Sequence, residues 1–206
     1  MTDAHVEGIM SIIGENLVRL ELVDCIAWDV TQEEMLSDNS LVPIAHHCKQ
    51  LKSFSMVGSH ITSRGLEMVL SANRGITTLN LSSNRRLDSR AVDIISKYLP
   101  RLEELRNSWY DGREWLSDDG LIALVDAQEK ESDGFGIFLK LLSLNSSYLT
   151  IRGVKHAIEK GVKEIEIDEG ELHDSIVDLG SDVKLYQANH LYVDGSKYER
   201  GLSHNL

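Results

Sequence analysis

The chain has 206 residues, 42% of them hydrophobic, and only two prolines, which gives enough apolar material for one globular core and excludes a fibrous or intrinsically disordered chain. A formal charge of -12 at pH 7 opposes phosphate-backbone binding, which needs a concentrated Lys/Arg surface, so nucleic acid is not an expected partner. Cys25 and Cys48 are too few and too scattered for a disulfide framework or zinc ribbon, and no run approaches the roughly 18 apolar residues that span a bilayer; a soluble protein of a reducing compartment, cytoplasm or nucleus, with no membrane insertion, is expected.

Residues 1–16 carry Val6, Ile9, Ile12 and Ile13 at helical spacing, the helical half of a repeat without its strand, and are expected to form an N-terminal capping helix or partial repeat. At Leu17 a frame begins in which apolar residues fall at the first, fourth and sixth places: Leu17, Leu20 and Leu22, followed by Cys25. It returns at Leu51, Phe54, Met56 and Ser59, and most cleanly at Ile76, Leu79, Leu81, Asn84 and Leu87. After each strand comes a helix start: ITSRGLEMVL from Ile61, LDSRAVDIIS from Leu87, LSDDGLIALV from Leu116 and LTIRGVKHAI from Leu149. Ser, Thr or Asp beside the turn suits a cap for the first exposed amides, and sets such as Leu66, Val69 and Leu70 make one apolar stripe.

The fourth copy is degenerate, with Leu102 and Leu105 followed by Arg106, Trp109, Tyr110, Arg113 and Trp115 where the usual turn should stand. Trp, Tyr and Arg are the residues most enriched in binding hot spots. One of Tyr110 and Trp115 is expected to replace a missing core leucine, and Trp109 is the expected exposed anchor. EKESDGFG from Glu129 is a polar insertion expected to loop out. The frame resumes at Leu139, Leu142, Leu144 and Ser147, weakens at Val162, Ile165 and Ile167, and is weakest at Val183, Tyr186 and Ala188. Four of the six spacings between first positions fall in the usual range of ~20–29 residues, and the two longer ones read as units with insertions. Residues 17–193 are thus expected to hold about six to seven repeats, and 194–206 a polar tail that frays.

Strands joined by returning helices must lie parallel, so the repeats predict an α/β solenoid with a curved parallel sheet and helices outside. The phrases HCKQLKSFSMVGSHITSRGLEMVL and SKYLPRLEEL resemble the cysteine-containing leucine-rich repeats of F-box receptors and their relatives, with Cys48, Leu51, Ile61, Gly65 and Leu66 in the family's places. The resemblance runs from about Val6 to Leu191 and implies a horseshoe arc, sheet on the concave face and helices on the convex one. It also implies substrate recognition or regulation in a ubiquitin-ligase pathway, although most units lack the helix-end Cys and no F-box-like segment precedes Leu17.

Side chains alternate faces along a strand, so the residue between two inward apolar positions points away from the core. Those residues form a column, Glu21, Ser55, Asn80, Arg106, Ser143, Glu166 and Gln187, which together with Trp109, Tyr110 and Arg113 is the expected partner-binding surface. Glu164, Glu166 and Asp168 line one strand face and suit a partner with a basic surface. Glu166, Asp168 and Glu169 lack EF-hand-like spacing, so neither a metal nor any other cofactor is expected. His46 and His47 beside Cys48 point to different helix faces and do not make a nucleophile–base pair, and no phosphate loop or nucleophile elbow is present. A non-catalytic protein-protein interaction module is expected, the alternatives being a ubiquitin-ligase component and a structural subunit of a larger complex.

Overall fold

The computed structural model describes residues 1–23, 35–108, 115–133, 136–145, 149–167 and 184–187. Helix α1 (Asp3–Ile13) and a 3-10 turn (Gly14–Asn16) lead into β1 (Arg19–Val23). Strands and helices then alternate: α2 (Asp38–His47), β2 (Ser53–Val57), α3 (Ser63–Ala72), β3 (Thr78–Asn80), α4 (Arg90–Tyr98) and β4 (Glu104–Ser108). The series ends with α5 (Asp118–Glu131), β5 (Leu141–Asn145), α6 (Ile151–Lys160), β6 (Glu164–Ile167) and β7 (Lys184–Gln187).

All seven strands lie in one sheet in chain order and every neighbouring pair is parallel, while each helix from α1 to α6 packs beside the next. The result is an α/β architecture of two layers. One register line, Leu20, Phe54, Leu79, Leu105, Leu142, Ile165 and Leu185, crosses the whole sheet. Its first six members are buried in a single core with the inward faces of the helices, among them Leu41, Leu66, Ile95, Leu121 and Val154. The fourth place of the frame read from the sequence is therefore core in β1 to β6.

Two positions depart from it. In β7 the sequence placed Tyr186 inward, but Leu185 takes the register of Ile165 and Tyr186 that of Glu166. A slip of one residue exchanges the two faces of a strand, and KLYQ offers an apolar residue in either frame. In β4 the buried Asn107 stands where a leucine was expected, and Trp115 is buried behind it in sequence at 4% exposure. Trp115 thus fills the core in this unit, and Tyr110 lies outside the described residues.

The helix starts are locked to one another by a recurring carboxylate. Asp3, Asp38 and Asp118 are each the first residue of a helix, and each accepts the backbone amide and the hydroxyl of the residue capping the next described helix. The Ser37 amide donates to Asp3 at 3.0 Å, the Thr62 amide to Asp38 at 2.7 Å and the Thr150 amide to Asp118 at 2.9 Å. Between α3 and α4 the roles are exchanged: Ser63 occupies the aspartate's place, and its hydroxyl donates at 2.6 Å to Asp88, which stands where the others have Ser or Thr. The capping that the sequence predicts is present in the same residues, since the Ser37, Thr62, Ser117 and Thr150 hydroxyls all accept a first-turn amide of their own helix.

Buried amide side chains hold the opposite ends. Asn84 accepts from the Ser59 amide and donates to the Met56 and Leu81 carbonyls, stitching the turn after β3 to the end of β2. Asn73, in the helix-end place that Cys48 fills one unit earlier, accepts from the Leu51 amide and donates to the Cys48 carbonyl. Gln128 links the Leu102 carbonyl to the Leu139 amide. Paired polar groups of this kind are tolerated in a core because each side chain both accepts and donates a hydrogen bond there.

Candidate interaction face

Each strand sends one set of side chains into the core and the other onto the opposite face of the sheet. On that face three register lines are visible. Arg19, Ser53, Thr78, Glu104, Leu141 and Glu164 form the first; Glu21, Ser55, Asn80, Arg106, Ser143 and Glu166 form the second, which is the column read from the sequence. The third is interrupted, because β3 ends at Asn80: Val23 pairs with Val57, and Ser108 with Asn145. Tyr186 replaces Gln187 at the end of the column.

The column is less uniform than simple alternation predicts. Glu21 is exposed and sits 3.4 Å from Arg19 on its own strand. Asn80 is half-buried, and its side-chain oxygen Oδ1 accepts from the Ser82 amide and hydroxyl, so it shapes the turn that follows. Ser55 and Ser143 are buried rather than presented, at 8% and 5% exposure. At Ser143 the cause is visible: Arg106 of β4 and Glu166 of β6 join in an ion pair that spans the intervening β5. Neighbouring strands are about 4.8 Å apart, so only two long side chains can close over a serine in this way. The Ser55 hydroxyl is buried with no hydrogen-bond partner.

Trp109, Tyr110 and Arg113 lie outside the described residues, as do Cys25, Asp168, Glu169 and the histidines at 173 and 190. Cys48 is buried, its thiol donates to the Met10 sulfur at 3.5 Å, and burial raises its pKa above the usual thiol value. That environment disfavours the thiolate a nucleophile requires. His156 of α6 pairs with Asp126 of α5 at 2.7 Å. Among the described residues, no group of three or more His, Cys, Asp and Glu side chains is gathered in a way that suits a metal ion, and no helix is long and apolar enough to cross a membrane.

Sequence reasoning missed two features. One is the Asp38/Gly65 and Asp118/Gly153 pairing, whose signal is an acidic residue directly after one cap and a glycine three residues after the next. The other is a groove of about 500 Å³ along the edge where helices end and strands begin, lined by Lys52, Arg74, Lys97, Tyr98 and Arg101. These cations are scattered over fifty residues of an acidic chain and form no run.

No family model and no curated protein matches the chain. Among solved structures it is similar to one described as the actin-binding site 2 of leiomodin-1, at TM-score 0.43 and 13% identity over 85% of both chains. It is also similar to a chain from the crystal structure of the Rad7 and Elc1 complex in yeast, at TM-score 0.47 and 15% identity, over 89% of this chain and 58% of that one. Both scores lie below 0.5, too low for either likeness to say what this protein binds.

Proposed function

We propose that the protein is a non-catalytic interaction module of the leucine-rich-repeat solenoid type, and that it holds a partner protein against the open face of its sheet. The observation that carries this reading is the six-membered register column from Glu21 to Glu166, laid across consecutive parallel strands on the face opposite the helix-covered core. A face of this kind offers many strands at fixed spacing and can be varied one residue per repeat without touching the core, which suits recognition of an extended surface. Arg106 and Glu166, already joined, supply a rigid rather than a mobile charged feature.

The test is affinity capture from the protein's own cell with two matched double variants. Glu21→Arg with Thr78→Arg alters the open face, and Ala123→Arg with Glu159→Arg alters the exposed helix face. Surface changes of this type usually stay within ~0.5 kcal/mol, so both variants should melt close to the parent. Loss of one stoichiometric partner from the open-face variant alone supports the proposal. Loss from the helix-face variant alone assigns binding to the helices and overturns it.

A further inference from the structure

The edge groove joins residues from three consecutive helix-to-strand passages: Lys52 before β2, Arg74 and Thr77 between α3 and β3, and Lys97, Tyr98 and Arg101 at the end of α4. Glu131 is the one carboxylate among its lining residues, so four cations face one anion in a protein whose net charge is -12. The cations are also organised. The Arg74 guanidinium stands 5.2 Å and the Lys97 ammonium 4.6 Å from the centre of the Tyr98 ring, and that ring is fixed by its hydroxyl, which donates to Glu67 at 2.9 Å. Arg101 lies 5.8 Å from the centre of the Phe138 ring. Lys52 reaches over Gly75, where a Cβ would come within 2.8 Å of its ammonium nitrogen.

Helix architecture accounts for part of this and not for the rest. A cation in the last turn of a helix meets the negative end of the dipole, which explains Lys97 in α4. Lys52, Arg74 and Arg101 lie beyond helix ends, on loops, where nothing in the fold requires positive charge. Several cations elsewhere are paired with carboxylates, Lys140 with Glu103, Lys160 with Glu129, Arg152 with Asp118 and Asp119; in the groove Lys97 stands 3.4 Å from Glu67, while Lys52, Arg74 and Arg101 make no such pair among the described residues. Arg74 and Lys97 share the Tyr98 ring with Lys52 and Arg101 on the same groove, and like charges so gathered repel one another; the ligand that relieves the repulsion is anionic.

We propose that this groove docks an acidic segment of a protein partner, its carboxylates meeting Lys52, Arg74, Lys97 and Arg101 and the side chains between them lying against Pro100. A polypeptide is favoured over nucleic acid because the surrounding negative charge repels a long polyanion, whereas a short acidic stretch fits within the groove and exposes little charge beyond it. Half-buried Pro100 adds an apolar contact that a peptide's aliphatic stems can use, beside the small exposed part of Tyr98.

The experiment is fluorescence anisotropy of the full chain with a labelled octaglutamate peptide, at low and at physiological salt. Arg74→Gln with Arg101→Gln removes two groove cations, and Arg64→Gln with Lys155→Gln removes two exposed cations elsewhere, matching the change in net charge. Circular dichroism melting of both variants establishes that they are folded. The expected result is saturable binding that weakens with salt and falls roughly tenfold in the groove variant only, as removal of two partly exposed charge contacts implies. No binding by the parent, or equal loss in both variants, overturns the site. Tighter binding of a labelled single-stranded oligonucleotide of similar charge, lost in the same groove variant, overturns the peptide as its ligand.

Discussion

Gly65 and Gly153 sit at the third position of α3 and α6, and each faces the aspartate of the preceding helix. A Cβ at Gly65 would overlap the Asp38 carboxylate and come within 2.8 Å of Leu41; one at Gly153 would stand 2.5 Å from the Asp118 carboxylate and 3.0 Å from its Cα. Neither carboxylate can swing aside, because both of its oxygens are bonded to the next helix's cap. Gly120 is different. The residue before it in the series is Ser89, which carries no carboxylate, and a Cβ there meets Val92 at 3.2 Å and Ser117 Oγ at 3.6 Å. Gly65→Ala and Gly153→Ala are therefore expected to cost about 1–3 kcal/mol each, as overpacking and a broken buried hydrogen bond do. Gly120→Ala should be near neutral, because the helix-propensity gain offsets a slight adjustment of Val92. Urea unfolding of the three variants measures this; equal loss in all three would mean that the glycines serve the helix start generally and not the carboxylate.

At the scale of the helix, the same contacts make the stack acid-sensitive. Burial pushes the Asp118 carboxyl up, but the Thr150 hydroxyl and amide and the Arg152 guanidinium more than offset it and hold the group below the usual carboxylate range. The Arg90 hydrogen bond holds Asp88 down, against opposing burial and with help from Ser63. A carboxyl whose pKa is lowered by folding contributes stability that is complete above its unfolded value of about 3.9 and is lost as pH falls through the folded value. Melting temperature should accordingly hold from neutral pH to roughly 4 and then drop, and Asp118→Asn should start lower and show a shallower drop. An unchanged acid slope in that variant would mean that Asp118 does not couple α5 to α6.

How much of each element was legible follows from the same residues. The inward apolar residues of β1 to β6 and the capped helix starts were readable because their periods, two along a strand and nearly four along a helix, write themselves into the order of residues. Tyr186 was misplaced because a short strand with apolar residues in both frames carries no internal register; the hydrogen bonds to β6 decide it. The column from Glu21 to Glu166 was legible as a set of positions. Its state was not, since the burial of Ser143 depends on an arginine and a glutamate that are sixty residues apart in sequence. The groove around Tyr98 was illegible for the same reason.

In the whole molecule every interior strand and helix has a neighbour on both sides, whereas α1 and β1 have one. The first end also leaves Ile9, Ile12, Ile13, Val18 and Val23 exposed, so less apolar surface is removed from water there than around Phe54 or Leu79. Opening an end unit gives up one interface and opening a central unit gives up two, and stability in such a linear stack is close to a sum of units and nearest-neighbour interfaces. Amide hydrogen exchange followed by mass spectrometry should therefore rank the molecule by position. Backbone amides of β2, β3 and β4 are expected to be protected to the level of global unfolding, while those of α1 and β1 exchange through a separate, less costly opening. Phe54→Ala, which empties a central core site at a cost of about 3–5 kcal/mol, should lower protection on both sides of β2, and Val6→Ala should lower it only in α1 and α2. If Val6→Ala instead lowers protection uniformly through β6, the stack unfolds as one cooperative unit, and the nearest-neighbour account of its stability is wrong.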